Sequence, residues 1–225
     1  MSVFELSDEL VFPHPALADD DGLLAIGGDL SIERLLLAYA NGIFPWYSAD
    51  SPIMWWATNP RMVLFPDKFR VSHSLRQTLR SGKFKVTFDH DFRSVIQNCA
   101  AKKRPDQEGT WITPEMQNAY INLHEAGYAH SVETWQDERL VGGLYGVSLG
   151  RVFFGESMFF IVRDASKVAL ATLTEKLKSW QFDMIDAQQE TSHIQSLGGE
   201  LIQLKVFLNI LKKSLKHPTI KGLWC

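Results

Sequence analysis

The chain has 225 residues, 45% of them apolar and 22% charged, with 23 basic against 26 acidic side chains and a formal net charge of −3. That make-up suits a core-forming globular protein and excludes a disordered, collagen-like or coiled-coil chain, while the acidic balance argues against wholesale wrapping of nucleic acid and leaves room for a local basic patch. No run reaches the roughly 18 apolar residues of a membrane helix, the acidic first nine residues show no leader, and the two cysteines, Cys99 and Cys225, cannot form a disulfide framework, so the expected location is cytoplasmic.

Taken in chain order, the first helix signal follows Gly27-Gly28-Asp29. Ser31 is a good N-cap, apolar residues recur at 32, 35, 36 and 39, and Asn41-Gly42 stops the run, which predicts a short amphipathic helix over 32–40. Segments 43–47 and 52–56, followed by Asn59-Pro60-Arg61, are aromatic and cut by proline, so they read as short strands and turns. Residues 1–61 therefore read as a small N-terminal domain and 62–225 as a larger one. In the larger part, 72–80 reads as a helix with Arg76 and Arg80 four apart on one face, and 84–88 alternates like a strand. Residues 92–101 form an apolar helical stretch in which Cys99 is expected to be a buried, inert thiol. Thr113-Pro114 starts a helix whose Met116, Ala119, Tyr120 and Leu123 form one stripe, ended by Gly127. Strands are expected at 129–135 and 140–149 around the turn Gln136-Asp137-Glu138-Arg139, with a third at 151–154. Asp164 can cap a helix carrying Ala169, Leu170, Leu173, Leu177 and Trp180, after which 182–185 reads as a buried strand and 206–215 as a last helix. The fold class is mixed α+β.

Chemistry is narrowed first by exclusion. The seven histidines never pair at zinc-ligand spacing, there is no HExxH, and two distant cysteines cannot complete a four-ligand site, so no metal is expected. Gly27-Gly28 and Gly142-Gly143 do not extend to a phosphate-cradling loop. What remains is a cluster of glycines and carboxylates around apolar runs, 142–146, Gly155-Glu156-Ser157-Met158-Phe159 and Ile185-Asp186-Ala187-Gln188, which suits a cleft floor at strand ends. Pattern alone leaves these carboxylates open between catalysis and structural hydrogen bonding.

Several motifs in one order resemble the bacterial leucyl/phenylalanyl-tRNA–protein transferase family: residues 22–30, Gly42-Ile43-Phe44-Pro45-Trp46, Gly109-Thr110-Trp111-Ile112-Thr113, Glu156 within GESMF, Ala165-Ser166-Lys167, and Ile185-Asp186-Ala187-Gln188 with His193 and Ser196-Leu197-Gly198. The match runs from about residue 20 to 200. The resemblance implies a small N-terminal domain beside a larger acetyltransferase-like (GNAT-like) domain that uses no acetyl-CoA. It also implies transfer of leucine or phenylalanine, and less readily methionine, from aminoacyl-tRNA to proteins beginning with arginine or lysine, which marks them for degradation. Two positions depart from the family pattern: Phe160 stands where a serine is expected, and Ala187 where cysteine often stands, which argues against a thiol intermediate.

The implied reaction is aminolysis of an ester by an α-amine, without a cofactor. An unperturbed aspartate is a weak base for an amine whose pKa is about 7.7 to 8.0, so the resemblance casts Asp186 and Gln188 chiefly as orienting groups beside the amine, with Glu156 positioning the aminoacyl group or attracting a cationic acceptor. Leu144, Phe153 and Leu170 are candidates for an apolar side-chain pocket, and Trp46 and Trp111 for stacking on the single-stranded 3′ end of the tRNA. Arg76, Arg80 and Lys83 are candidates for phosphate contacts. The expected partners are the 3′ end of aminoacyl-tRNA and proteins with N-terminal Arg or Lys, with no membrane, and the enzyme is expected to be a monomer. An acyl-CoA-dependent N-acyltransferase and a non-catalytic tRNA- or peptide-binding module stand as alternatives.

Overall fold

The computed structural model describes residues 3–102 and 110–224; Gly109 of the third motif and Cys225 lie outside them. The N-terminal part holds β1 (Phe4–Leu6), β2 (Leu23–Gly27), α1 (Ile32–Ala40), β3 (Phe44–Pro45) and β4 (Met54–Trp56), with a sheet ordered β1-β2-β4-β3. As expected, Ser31 caps α1 by accepting the Arg34 N–H at 3.3 Å. Gly42 ends the turn with φ +74°, and a Cβ there would stand 2.8 Å from the Phe207 ring, so the stop is also a packing requirement. Arg34, wholly buried, donates to the carbonyls of Ser7 and Glu9 and to Asp29, tying the N-terminal segment to α1. β1 and β2 carried no strand signal because three and five residues are too few for a period to show.

The larger part contains β5 (Arg61–Leu64), α2 (His73–Arg80), β6 (Lys85–Phe88), α3 (Phe92–Ala101), α4 (Pro114–Glu125), β7 (Ala129–Gln136), β8 (Arg139–Leu149), β9 (Val152–Phe160), α5 (Ala165–Ser179), β10 (Met184–Gln188), α6 (Ser192–Ser196), β11 (Glu200–Ile202) and α7 (Leu204–Ser214). Its seven strands run in the order β11-β5-β10-β9-β8-β7-β6. Helix and strand together give the mixed α+β architecture that was expected. Side chains alternate across the sheet: Tyr145, Val147, Val152 and Phe154 join the core that holds α3 and α4, while Leu144, Phe153 and Ile185 join Leu170, Leu173 and Leu177 of α5. Both faces are covered, and the central strands accordingly read as near-continuous apolar runs.

Two details set up the cleft. β9 and β10 pair in parallel only at Met184–Val152, Ile185–Phe153 and Asp186–Phe154, and beyond these residues the ladder stops. β9 itself continues to Phe160, six residues past the expected end of the third strand, paired to β8. β9 therefore carries Glu156 inside a strand rather than at its end. The N-terminal sheet shares one core with the large one: Trp55, Tyr39, Tyr120, Phe154 and Phe207 belong to the same cluster. Cys99 is buried there, as expected. The tail after α7 folds back, and the Trp224 ring stacks on His130 at 3.8 Å and lies 5.9 Å from Phe153. Among the described residues no helix is long and apolar enough to cross a membrane.

Candidate active site

Each of the two strands that part at the cleft carries a bulge. Between β8 and β9 the pairs Gly146–Gly155 and Tyr145–Ser157 leave Glu156 as the extra residue. Glycine is obligatory opposite it, since a Cβ on Gly146 would sit 2.1 Å from the Phe154 carbonyl oxygen. Between β10 and β5 the pairs Asp186–Val63 and Gln188–Met62 leave Ala187 extra, and Gln188 takes φ +58°, a left-handed backbone rare for a non-glycine residue. Bulges re-aim side chains, and here the two turn Gln188 and Glu156 to one another: Gln188 Nε2 donates to Glu156 Oε1 at 2.9 Å.

Glu156 is the hub of a buried network. The Tyr39 hydroxyl lies 2.8 Å from Oε1 and the Tyr120 hydroxyl 2.9 Å from Oε2, and the two hydroxyls also touch each other, so their two protons are shared among three contacts. Burial pushes the Glu156 carboxyl up to about 7, even though the bonds from both tyrosines and Gln188 favour its charged form. Burial, and next to it the charge of Glu156, hold both tyrosines well above the ordinary phenol range.

Asp186 lies one layer deeper, wholly buried and outside the cavity lining. Arg61 Nε and Nη2 grip its two oxygens at 2.9 and 2.7 Å, and the guanidinium sits between the rings of Phe44 and Phe207, 4.7 and 4.8 Å from their centres. Asp186 Oδ1 also accepts the main-chain N–H of Gln188 at 2.9 Å, while Thr58 donates to the Gln188 carbonyl at 3.1 Å. The carboxylate thus holds the backbone of Gln188, and the side-chain amide is held by Glu156; alternation along an extended strand, which would have placed both side chains on one face, is broken by the bulge.

A cavity of about 730 Å³ opens where the strands part. Leu144, Phe153 and Leu170 form its apolar floor, Glu156 and Gln188 one wall, and Trp46 and Trp111 reach it from the N-terminal part and the segment before α4. Trp46 is braced by Trp56, whose ring lies 5.4 Å away and whose Nε1 donates to the Trp46 carbonyl at 2.6 Å. The cavity therefore collects every expected catalytic or substrate residue except Asp186. Arg76, Arg80 and Lys83 stand apart from it, exposed on α2 and the turn that follows, where Leu75 joins Val168 and Ala171 of α5 in a small apolar cluster. Ala187 lines the cavity, as does exposed Phe160, with the Lys102 ammonium 5.3 Å from the centre of its ring. Asp164 precedes α5 as expected, yet its side chain makes no capping bond, since φ +69° turns it toward Arg163 and Lys167.

Sequence reasoning missed Arg61, Tyr39 and Tyr120. Both tyrosines sit on apolar helix stripes, and the signal that could have found them is the phenol itself, which when buried needs a hydrogen-bond partner.

Comparison with known proteins adds an independent set of findings. Residues 63–212 match the family model described as leucyl/phenylalanyl-tRNA protein transferase, and residues 28–59 match the model of that family's N-terminal domain. The chain is 56% identical over 224 residues to the leucyl/phenylalanyl-tRNA–protein transferase of Desulfatibacillum aliphaticivorans, covering 100% of this chain and 96% of that one. It is 54% identical over 225 residues to the protein of the same name from Maridesulfovibrio salexigens, covering 100% and 94%. Among solved structures, it is similar to a GCN5-related N-acetyltransferase from Kribbella flavida, with TM-score 0.36 and 10% identity over 74% of this chain and 59% of the other. An aminoglycoside acetyltransferase from an uncultured soil sample aligns with TM-score 0.37 and 12% identity over 52% and 84%.

Proposed function

The chain belongs to the leucyl/phenylalanyl-tRNA–protein transferase family, and from that premise we propose that its cleft moves leucine or phenylalanine, and less readily methionine, from aminoacyl-tRNA to the α-amine of proteins that begin with arginine or lysine, marking them for degradation. The observation that carries this reading is the joining, in one cavity, of an apolar floor with the Glu156–Gln188 pair.

The floor of Leu144, Phe153 and Leu170 takes the side chain being transferred. Such a pocket separates substrates by only about 1 to 3 kcal/mol per methylene, which accounts for shared acceptance of leucine, phenylalanine and methionine. Trp46 and Trp111 offer stacking surfaces for the terminal base, and exposed Arg76, Arg80 and Lys83 offer phosphate contacts farther along the tRNA. The acceptor amine, only partly neutral near pH 7, attacks the ester carbon. A C–N bond forms, the bond from that carbon to the ribose oxygen breaks, and the amine proton is released as the ribose hydroxyl is restored. Because Gln188 Nε2 is committed to Glu156, its carbonyl oxygen is the end able to accept from the amine, while ionised Glu156 favours a cationic first residue. Asp186 acts through Gln188, as a positioning residue. No cofactor enters this scheme.

The division at 61/62 is supported by matches that end at 59 and begin at 63, while β5, which starts at Arg61 in the large sheet, places Arg61 itself with the larger part. We take the enzyme to be a cytoplasmic monomer, since one chain supplies every group named. Incubation with labelled leucyl-tRNA should label peptides that start with arginine or lysine and leave an alanine-starting peptide unlabelled. Absence of label in all three would sink the reading.

A further inference from the structure

We propose that Lys167, Arg163 and Lys102 form an anion site at the mouth of the cavity that holds the phosphodiesters joining the last nucleotides of the tRNA 3′ end; the proposal rests on the reading above. All three cations line the same cavity as Trp46, Trp111 and the apolar floor, although none of them is needed to hold an acyl group or an amine. Lys167 and Arg163 flank the start of α5, a 15-residue helix whose first turn has no side-chain cap and whose dipole favours an anion. Asp164 lies 3.3 Å from Lys167 Nζ and 3.7 Å from Arg163 Nε, so these two cations share a single carboxylate among the described residues. His193 marks the same spot independently: it lines the cavity, its Nε2 is buried with no hydrogen-bond partner among the described residues, and after burial the charges that most depress its protonation are those of Lys167 and Lys102.

Placement explains why phosphates would pass here. With the acyl group on the floor and the terminal base against the tryptophans, the chain of nucleotides must leave by the mouth, and α5 lies on its way to α2. Leu75 of α2 packs with Val168, the neighbour of Lys167. The rim thus connects the cavity to the exposed Arg76, Arg80 and Lys83, giving one cationic track from the reacting ester toward the body of the tRNA.

The test compares two donors with one arginine-starting peptide: leucyl-adenosine, which has no phosphodiester, and the leucyl ester of a CCA trinucleotide, which has two. In the wild-type protein the trinucleotide should have the lower KM. Lys167→Gln and Arg163→Gln should each shrink that advantage about tenfold, as expected for loss of one charged hydrogen bond, and the slope of log KM against log salt for the trinucleotide should fall by about 0.7 for each phosphate that is no longer neutralised. Lys167→Arg should restore most of the advantage. An unchanged KM ratio in the Lys167→Gln/Arg163→Gln double variant overturns the proposal, as does an equal rise in KM for both donors. If the wild-type protein transfers from neither donor nor from leucyl-tRNA, the family-based reading falls and this inference with it.

Discussion

Arg61 and Asp186, 125 residues apart in the chain, form a fully buried two-pronged ion pair, and the same Asp186 carboxylate holds the main-chain N–H of Gln188. Removing one partner leaves an uncompensated buried charge. Asp186→Ala should therefore lower unfolding free energy by about 3 to 5 kcal/mol, read by urea titration, with Asp186→Asn losing less. On the proposed reading Asp186 acts through Gln188, whose N–H it holds, so Asp186→Asn should cut kcat while leaving the pH limbs of the wild-type profile in place. Arg61→Gln combined with Asp186→Asn should be no worse than the poorer single variant, since both remove the same support. Loss of a pH limb in Asp186→Asn would instead make the aspartate a proton acceptor.

Glu156 provides a pH signature. Its carboxyl titrates at about 7 in the folded protein against an ordinary 4.5, so between those values the unfolded chain ionises first and folding weakens as pH rises. The gap corresponds to about 3 kcal/mol at 1.36 kcal/mol per pH unit. The stability of Glu156→Gln relative to wild type should therefore improve by up to that amount from pH 4 to pH 8. Activity runs the other way: kcat/KM on an arginine-starting peptide should rise through pH 7 in the wild type, and Glu156→Gln should keep only the later rise due to the acceptor amine.

How much of this was legible in the sequence varies with the physics behind each element. Helix starts were, because Ser31, Ser72 and Thr113 each accept the N–H that their position predicts. The floor of the cavity was, because Leu144, Phe153 and Leu170 lie in apolar stretches within the region that the family resemblance spans. The bulges were not: whether Glu156 is the extra residue depends on the register of the β8–β9 hairpin, and whether Ala187 is depends on β5, more than a hundred residues earlier in the chain. Arg61 was hidden for the same reason. Next to Pro60 it reads as a turn residue, and only the docking of β5 beside β10 buries it against Asp186.

The pocket floor predicts selectivity. Leu170→Ala enlarges the cavity beside Phe153 and Leu144, so turnover of phenylalanyl over leucyl donors, measured as a ratio of kcat/KM values in competition, should rise by about tenfold, within the 1 to 3 kcal/mol expected of such contacts. An unchanged ratio would place the side chain elsewhere.

Trp46 and Trp111 should affect the donor alone. Replacing either by alanine should raise donor KM by the equivalent of about 1 to 3 kcal/mol per lost stack, with little change in KM for the acceptor peptide. Trp46→Phe should keep more affinity than Trp46→Ala, because a smaller ring still stacks; equal losses would point to the bracing contact with Trp56 as the true source.

Trp224 links the tail to the cavity floor from behind. Its ring is 2% exposed, stacked on His130 and packed near Phe153, Trp180 and Phe182, while its main-chain N–H donates to Asp89 Oδ2 at 2.7 Å. Asp89 also accepts the Ser131 N–H and engages His130 Nδ1, each at 2.8 Å, so the tail, the turn before α3 and β7 meet at one carboxylate. Trp224→Ala should cost about 3 to 5 kcal/mol of stability, as large-to-small core changes do, and Trp224→Phe clearly less. Since Phe153 then loses its backing, donor KM should rise in Trp224→Ala more than acceptor KM. Stability lost with both KM values intact would confine the tail to a structural role.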